Sequence, residues 1–134
     1  MEKKEIVSDA SSLIFIGKLR IFNLVENIYS HIFVPHEVIN EIFRYEKLEN
    51  NYIKEELGKF IKEVNIKNSI EFPIQIDSGE KAALSLCINK KINFFLSDDK
   101  KARNYARSLG INTIGVLGVI LENLKGKKIT KQET

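Results

Sequence analysis

Five carboxylates fall at the ends of strand-like runs or in the helical stretches that follow them: Asp9, Glu41, Glu80, Asp98 and Asp99. Asp9 closes the run Ile6-Val7-Ser8 and opens Ala10-Ser11-Ser12, while Asp98 and Asp99 follow Phe94-Phe95-Leu96-Ser97. Carboxylates drawn together without cations repel one another, and some are forced to hold protons. A hard divalent cation removes that conflict, and an all-oxygen donor set without Cys or His suits Mg²⁺ or Mn²⁺. Such an ion can generate a nucleophile from water, orient a phosphate and stabilise a leaving oxygen. Metal-dependent phosphodiester hydrolysis is therefore the chemistry these residues would serve, provided the fold brings them together.

Each acid also has a purely structural reading. Asp9, Ser11, Ser97 or Asp98 could cap a helix N-terminus, and a carboxylate in the first turn is favoured by the helix dipole. Asp77-Ser78-Gly79-Glu80 has capping-box spacing, which would turn Glu80 back to the backbone. Against that, Glu80 shares a stripe with Ala83, Leu84 and Cys87 on a helix that is apolar on nearly every side, where a carboxylate is costly unless something compensates it. Glu41 lies at the edge of the apolar face formed by Val38, Ile39, Ile42, Phe43 and Tyr45, and Glu37 lies further toward solvent. If strand alternation persists past Leu96, Asp98 falls on the face of Phe94 and Leu96 and Asp99 on that of Phe95 and Ser97. The pair should then point apart, with Asp98 meeting the ion and Asp99 serving the helix start.

These residues need elements to hold them. Strands are expected at Glu5–Ser8, His31–Val34, Phe94–Leu96 and Ile111–Val116, the last broken by Gly115. Helices are expected from about Ala10 to Gly17, Ile21 to Ile28 and Pro35 to Phe43, with Pro35 as a first helical residue. A further amphipathic helix is read over Leu48–Val64 from Tyr52, Leu57, Phe60, Ile61 and Val64, with Gly58 as its weak point. Asn65–Ile76, holding Pro73, reads as a loop with a short edge strand. The helix from Asp77, the one after Asp99 ending at Gly110, and a closing one over Leu117–Leu124 complete the chain. Alternating strands and helices give an α/β fold with a mostly parallel sheet between layers of helices, and in such sheets ligands bind outside the carboxyl ends of the strands.

The 134 residues suit one domain, expected over residues 1–124 with a basic tail at 125–134. With 43% hydrophobic and 29% charged residues, the chain reads as globular. No apolar run approaches the roughly 20 residues needed to span a bilayer. The start, Met-Glu-Lys-Lys-Glu, carries no signal-peptide pattern, so the cytoplasm is the expected location. The lone Cys87 sits among apolar residues and reads as core. Two isolated histidines make no zinc pattern, and a net charge of +3 does not by itself indicate nucleic acid.

The order and spacing of five segments resemble the PIN-domain family, and within it the small prokaryotic group close to the toxin ribonucleases of toxin–antitoxin pairs. The segments are Ile6–Ile14, Val34–Glu41, Asp77–Ala83, Leu96–Arg103 and Thr113–Val119. The resemblance implies a single three-layer domain and a ribonuclease holding one or two Mg²⁺ or Mn²⁺. By position it implies Asp9 and Glu80 as metal ligands, Glu41 as a further catalytic acid, and Asp98 or Asp99 as the last ligand. Ser11 and Ser97 match supporting hydroxyls, and Lys100, Lys101 and Arg103 become expected RNA contacts. It also implies a cognate antitoxin and a homodimer. Many relatives have one acid and an aromatic where this chain has Asp98-Asp99 and a basic run. Two other readings remain: an inactive PIN-like interaction or RNA-binding scaffold, and a phosphate-accepting receiver domain, which would need its paired acids early rather than late.

Overall fold

A computed structural model describes residues 3–66, 70–71 and 76–133, with side chains in the last helix as far as residue 126. In chain order the elements are β1 (Lys4–Ser8), α1 (Ala10–Leu19), α2 (Phe22–Glu26), β2 (Tyr29–Pro35), α3 (His36–Phe43), α4 (Glu49–Glu56), β3 (Ile61–Val64), α5 (Ser78–Lys90), β4 (Phe94–Leu96), α6 (Lys100–Ser108), β5 (Asn112–Ile114) and α7 (Val116–Glu133). The strands form one sheet in the order β3-β2-β1-β4-β5, and every pairing is parallel.

Both faces of a parallel sheet are covered, so its strands read as continuous apolar runs whose alternate residues serve opposite layers. Ile6, Ile32, Val34, Ile61 and Leu96 join residues of α1, α2, α3, α4 and α7 in one buried cluster. Val7 and Phe95 join Ala83, Leu84, Leu86, Cys87, Ala102 and Ala106 of α5 and α6 in the other. The expected three-layer α/β domain is the one observed. Burial pushes the Cys87 thiol up to about 12, as befits a core residue.

The strand order also locates the site. After β1 the chain moves outward to β2 and β3, then returns to the other flank of β1 as β4 and β5. The direction reverses between β1 and β4, and the crevice at the carboxyl ends there is the expected ligand position. Val7 pairs with Phe95 and Ser8 with Leu96, and Asp9 N–H donates to Leu96 O at 3.1 Å. Asp9 and Ser97-Asp98-Asp99 thus leave the two strands side by side.

Some boundaries differ from expectation. The single helix read over Leu48–Val64 is two elements: α4 stops at Glu56, and Ile61–Val64 is strand β3, paired with Ile32–Pro35 of β2. Gly58, at φ 83°, turns the chain and donates its N–H to Ile61 O at 2.8 Å. The edge strand therefore precedes the expected loop, of which residues 67–69 and 72–75, including Pro73, lie outside the described residues. Pro35 ends β2 and caps α3 rather than starting it. Strand β5 stops at Ile114, so Val116 belongs to α7, which continues through Gly126 into the segment read as a tail. Gly110, at φ 80°, follows α6 as expected. Among the described residues no helix is long and apolar enough to cross a membrane.

Candidate active site

Asp9 is 5% exposed, and its Oδ1 accepts from Ser12 N–H at 2.9 Å, so it caps α1 while remaining a buried carboxylate. Burial raises its pKa; hydrogen bonds from the Ser97 side chain and from Ser12 pull it back, and the Asp98 charge raises it further. Ser97 is fully buried, and besides serving Asp9 its hydroxyl accepts from Asp99 N–H at 3.1 Å. Ser11 is exposed and lines a small cavity beside Asp9.

That cavity, about 20 Å³, is bounded by Asp9, Ser11, Glu41, Asp77, Gly79 and Glu80. A volume of that order holds one water-sized occupant. Two capping functions assemble it. Asp77 Oδ1 accepts from Glu80 N–H at 2.8 Å, which makes half of a capping box. The Glu80 carboxylate makes no reciprocal bond among the described residues. It is pushed up to about 7 by burial first, then by the charges of Asp77, Asp99, Asp9 and Glu41. Glu41 is also raised, by burial and then Asp77, with Arg44 opposing and Asp9 adding a smaller push. Asp77 had only a capping role in the sequence; its position on the cavity wall is new.

Asp98 and Asp99 do diverge. Asp98, on the α7 side of the sheet, places Oδ1 3.1 Å from the Val116 N–H that donates to it, and its charge reaches Asp9. Asp99, on the α5 and α6 side, accepts from Ala102 N–H at 2.8 Å and its charge reaches Glu80. The pair straddles the end of β4, one carboxylate bonded to the start of α7 and the other to the start of α6. Lys100 and Lys101 are exposed at the start of α6, whereas Arg103 is half-buried, with its Nε buried and without a hydrogen-bond partner among the described residues.

These residues fit a divalent cation. Every donor is oxygen, and four of the acids line one water-sized cavity, with the Arg44 charge acting on Glu41. No three Asp, Glu, His or Cys side chains already stand at ligand spacing among the described residues. Mg²⁺ commonly keeps several waters and takes one or two carboxylates directly.

The raised Glu80 pKa has a measurable consequence. The folded state holds the proton more tightly than the unfolded one, so the associated stability is present below the unfolded value near 4.5 and is lost as pH rises through about 7. Without divalent ions, the melting temperature should fall between pH 5 and 8, and Glu80→Gln should flatten that slope. Metal binding requires the ionised form, so Mn²⁺ affinity should rise over the same interval in the parent. A parent and Glu80→Gln with identical pH profiles would contradict the assignment.

The chain belongs to the PIN-domain family. Residues 5–134 match the family DUF3368, described as a PIN domain. Among solved structures, it is similar to a PilT N-terminus domain protein, SSO1118, from the hyperthermophilic archaeon Sulfolobus solfataricus P2. That likeness has a TM-score of 0.71 and 16% identity over 90% of this chain and 93% of that one. It is also similar to the PIN domain endonuclease Utp24, with a TM-score of 0.64 and 10% identity over 84% of each chain. No curated protein sequence matches it.

Proposed function

We propose that this protein is a Mg²⁺- or Mn²⁺-dependent endoribonuclease, the toxin-like member of a toxin–antitoxin pair, acting in the cytoplasm. One observation carries the reading: in a PIN-domain chain, carboxylates from three separate segments line one small cavity at the reversal point of the sheet, with the Asp98-Asp99 pair at the neighbouring strand end. The endonuclease named among its structural neighbours supports it. Asp9 and Glu80 would hold the ion directly, Asp98 or Asp99 would supply the last carboxylate, and Glu41 would complete the acid lining. When bound, the ion supplies an activated water and stabilisation for the leaving oxygen. The chain itself fixes the carboxylates: Ser12 N–H and Ser97 hold Asp9, Val116 N–H holds Asp98, and Ala102 N–H holds Asp99.

Lys100, Lys101 and Arg103 would meet the RNA backbone, the exposed lysines by charge. Leu117, Leu121 and Leu124 are exposed along α7, at 66%, 48% and 51%, and supply an apolar surface for the second copy of a homodimer. A solution mass of one 15.4 kDa chain would remove the dimer from the proposal. The antitoxin is the partner to seek by co-purification with products of neighbouring genes; a chain that always purifies alone would count against it.

The enzymatic test is incubation with a broad pool of single-stranded and structured RNA under Mg²⁺ and under Mn²⁺. The expected result is internal cleavage that stops on chelation and returns when the metal is restored. An RNA pool left intact under both metals would favour the scaffold reading.

A further inference from the structure

Gly115 lies between β5 and α7, and its carbonyl accepts from Val119 N–H at 3.1 Å to start the helix. Its φ is not in the positive range that Gly58 and Gly110 occupy, so backbone conformation does not demand glycine there. What demands it is Asp98: a Cβ on Gly115 would overlap Asp98 Oδ1. The same oxygen accepts from Val116 N–H, and Val116 is 1% exposed and packed in the main core. Arg103 Nη1 stands 3.7 Å from that Cβ position and borders the same slot. Asp98 thus leaves β4 and seats one oxygen against the start of α7, in space that exists because residue 115 has no side chain.

We propose that Gly115 is a positioning residue for the cation site, acting through Asp98: it keeps the slot open so that Val116 N–H fixes Oδ1 and orients the carboxylate beside Asp9. This rests on the metal-dependent reading above. Groups that orient a metal-binding side chain typically change metal affinity by 10–100-fold when altered. The contact joins residues far apart in sequence, which is why helix-start and strand-end patterns gave no sign of it.

The test is Mn²⁺ titration of the purified protein, followed calorimetrically, together with melting temperatures in chelator. Gly115→Ala should weaken Mn²⁺ binding by roughly 10–100-fold. Gly118→Ala, three residues on in α7, is the control: its Cβ would press on Ile114 Cγ1 at 2.7 Å and touch no acid, so it should lower the melting temperature and leave Mn²⁺ affinity unchanged. In chelator, Gly115→Ala should lower the melting temperature of the parent, but not that of Asp98→Ala, where the obstructing oxygen is gone. Parent-like Mn²⁺ affinity in Gly115→Ala, or an equal melting-temperature loss in both backgrounds, overturns the positioning role alone. A parent that binds no Mn²⁺, or an Asp9→Asn variant that binds it as the parent does, overturns the metal-site reading and this proposal with it.

Discussion

Asp9→Asn should lose RNA cleavage by about a thousandfold while remaining folded. The amide oxygen of Asn can still accept from Ser12 N–H, so the cap on α1 survives. What disappears is the buried negative charge next to Ser97 and Asp98. If that charge helps hold the ion, several kcal/mol of transition-state stabilisation go with it, and about 4 kcal/mol corresponds to roughly a thousandfold in rate. Stability should move the other way. Burial makes the ionised form of Asp9 unfavourable and Asp98 adds repulsion, so at neutral pH without metal the Asn variant should melt at or above the parent. Glu80→Gln should behave likewise, because its ionised form is opposed by burial and by four neighbouring acids. Loss of activity with unchanged or raised stability marks a site held against the preference of the fold. An Asp9→Asn variant that cleaves like the parent, or one that fails to fold, would refute this account of Asp9.

Phe95→Ala should destabilise the fold more than any other single truncation in the layer between the sheet and α5 and α6. Phe95 is fully buried in the middle of β4, paired with Val7 on one side and Thr113 on the other. On the helical side its cluster holds three alanines, Ala83, Ala102 and Ala106, beside Leu84, Leu86 and Cys87, and the ring is the largest fully buried side chain in that layer. Those alanines cannot expand into the hole. The expected cost is about 3–5 kcal/mol, from lost transfer energy and an unfilled cavity. Against a typical total of about 5–15 kcal/mol, that should lower the melting temperature by something on the order of 10 °C. Urea unfolding would show it as a lower midpoint at unchanged slope. A cost below about 1 kcal/mol would mean that the layer collapses around the gap, contrary to the packing described.

The parts of this fold that follow a simple period were legible in the sequence. Ile6 and Val7 face opposite layers, as do Phe95 and Leu96, and the same alternation carried past Leu96 places Asp98 toward α7 and Asp99 toward α5 and α6. Where two periods compete, the reading failed. Tyr52, Leu57, Phe60, Ile61 and Val64 satisfy a helical spacing, yet a four-residue edge strand offers too few alternations to contest it. Pairing with β2, which no local pattern reports, decides the matter.

Site residues divide in the same way. Asp9, Glu80, Asp98 and Asp99 were visible because each stands at or near a helix start, and Glu41 because it edges the apolar face of its helix. Asp77 looked like a cap, and it is one, but only the approach of α3 to α5 puts it on the cavity wall with Glu41. Gly79 and Gly115 carry no chemistry of their own. Gly79 is buried where a Cβ would stand 2.9 Å from Glu41 Oε1, so it clears room for that carboxylate much as Gly115 does for Asp98. Such contacts between distant segments leave no mark on periodicity. Arg103 illustrates the converse: a basic residue expected to contact RNA turns its Nε inward.

The most direct test of the central claim is a crystal of the parent protein soaked with Mn²⁺ and measured for anomalous scattering. The account predicts a peak bordered by the carboxylates of Asp9 and Glu80, absent from an Asp9→Asn crystal treated identically. No peak at the acids under saturating Mn²⁺, or a peak unchanged in Asp9→Asn, would contradict it.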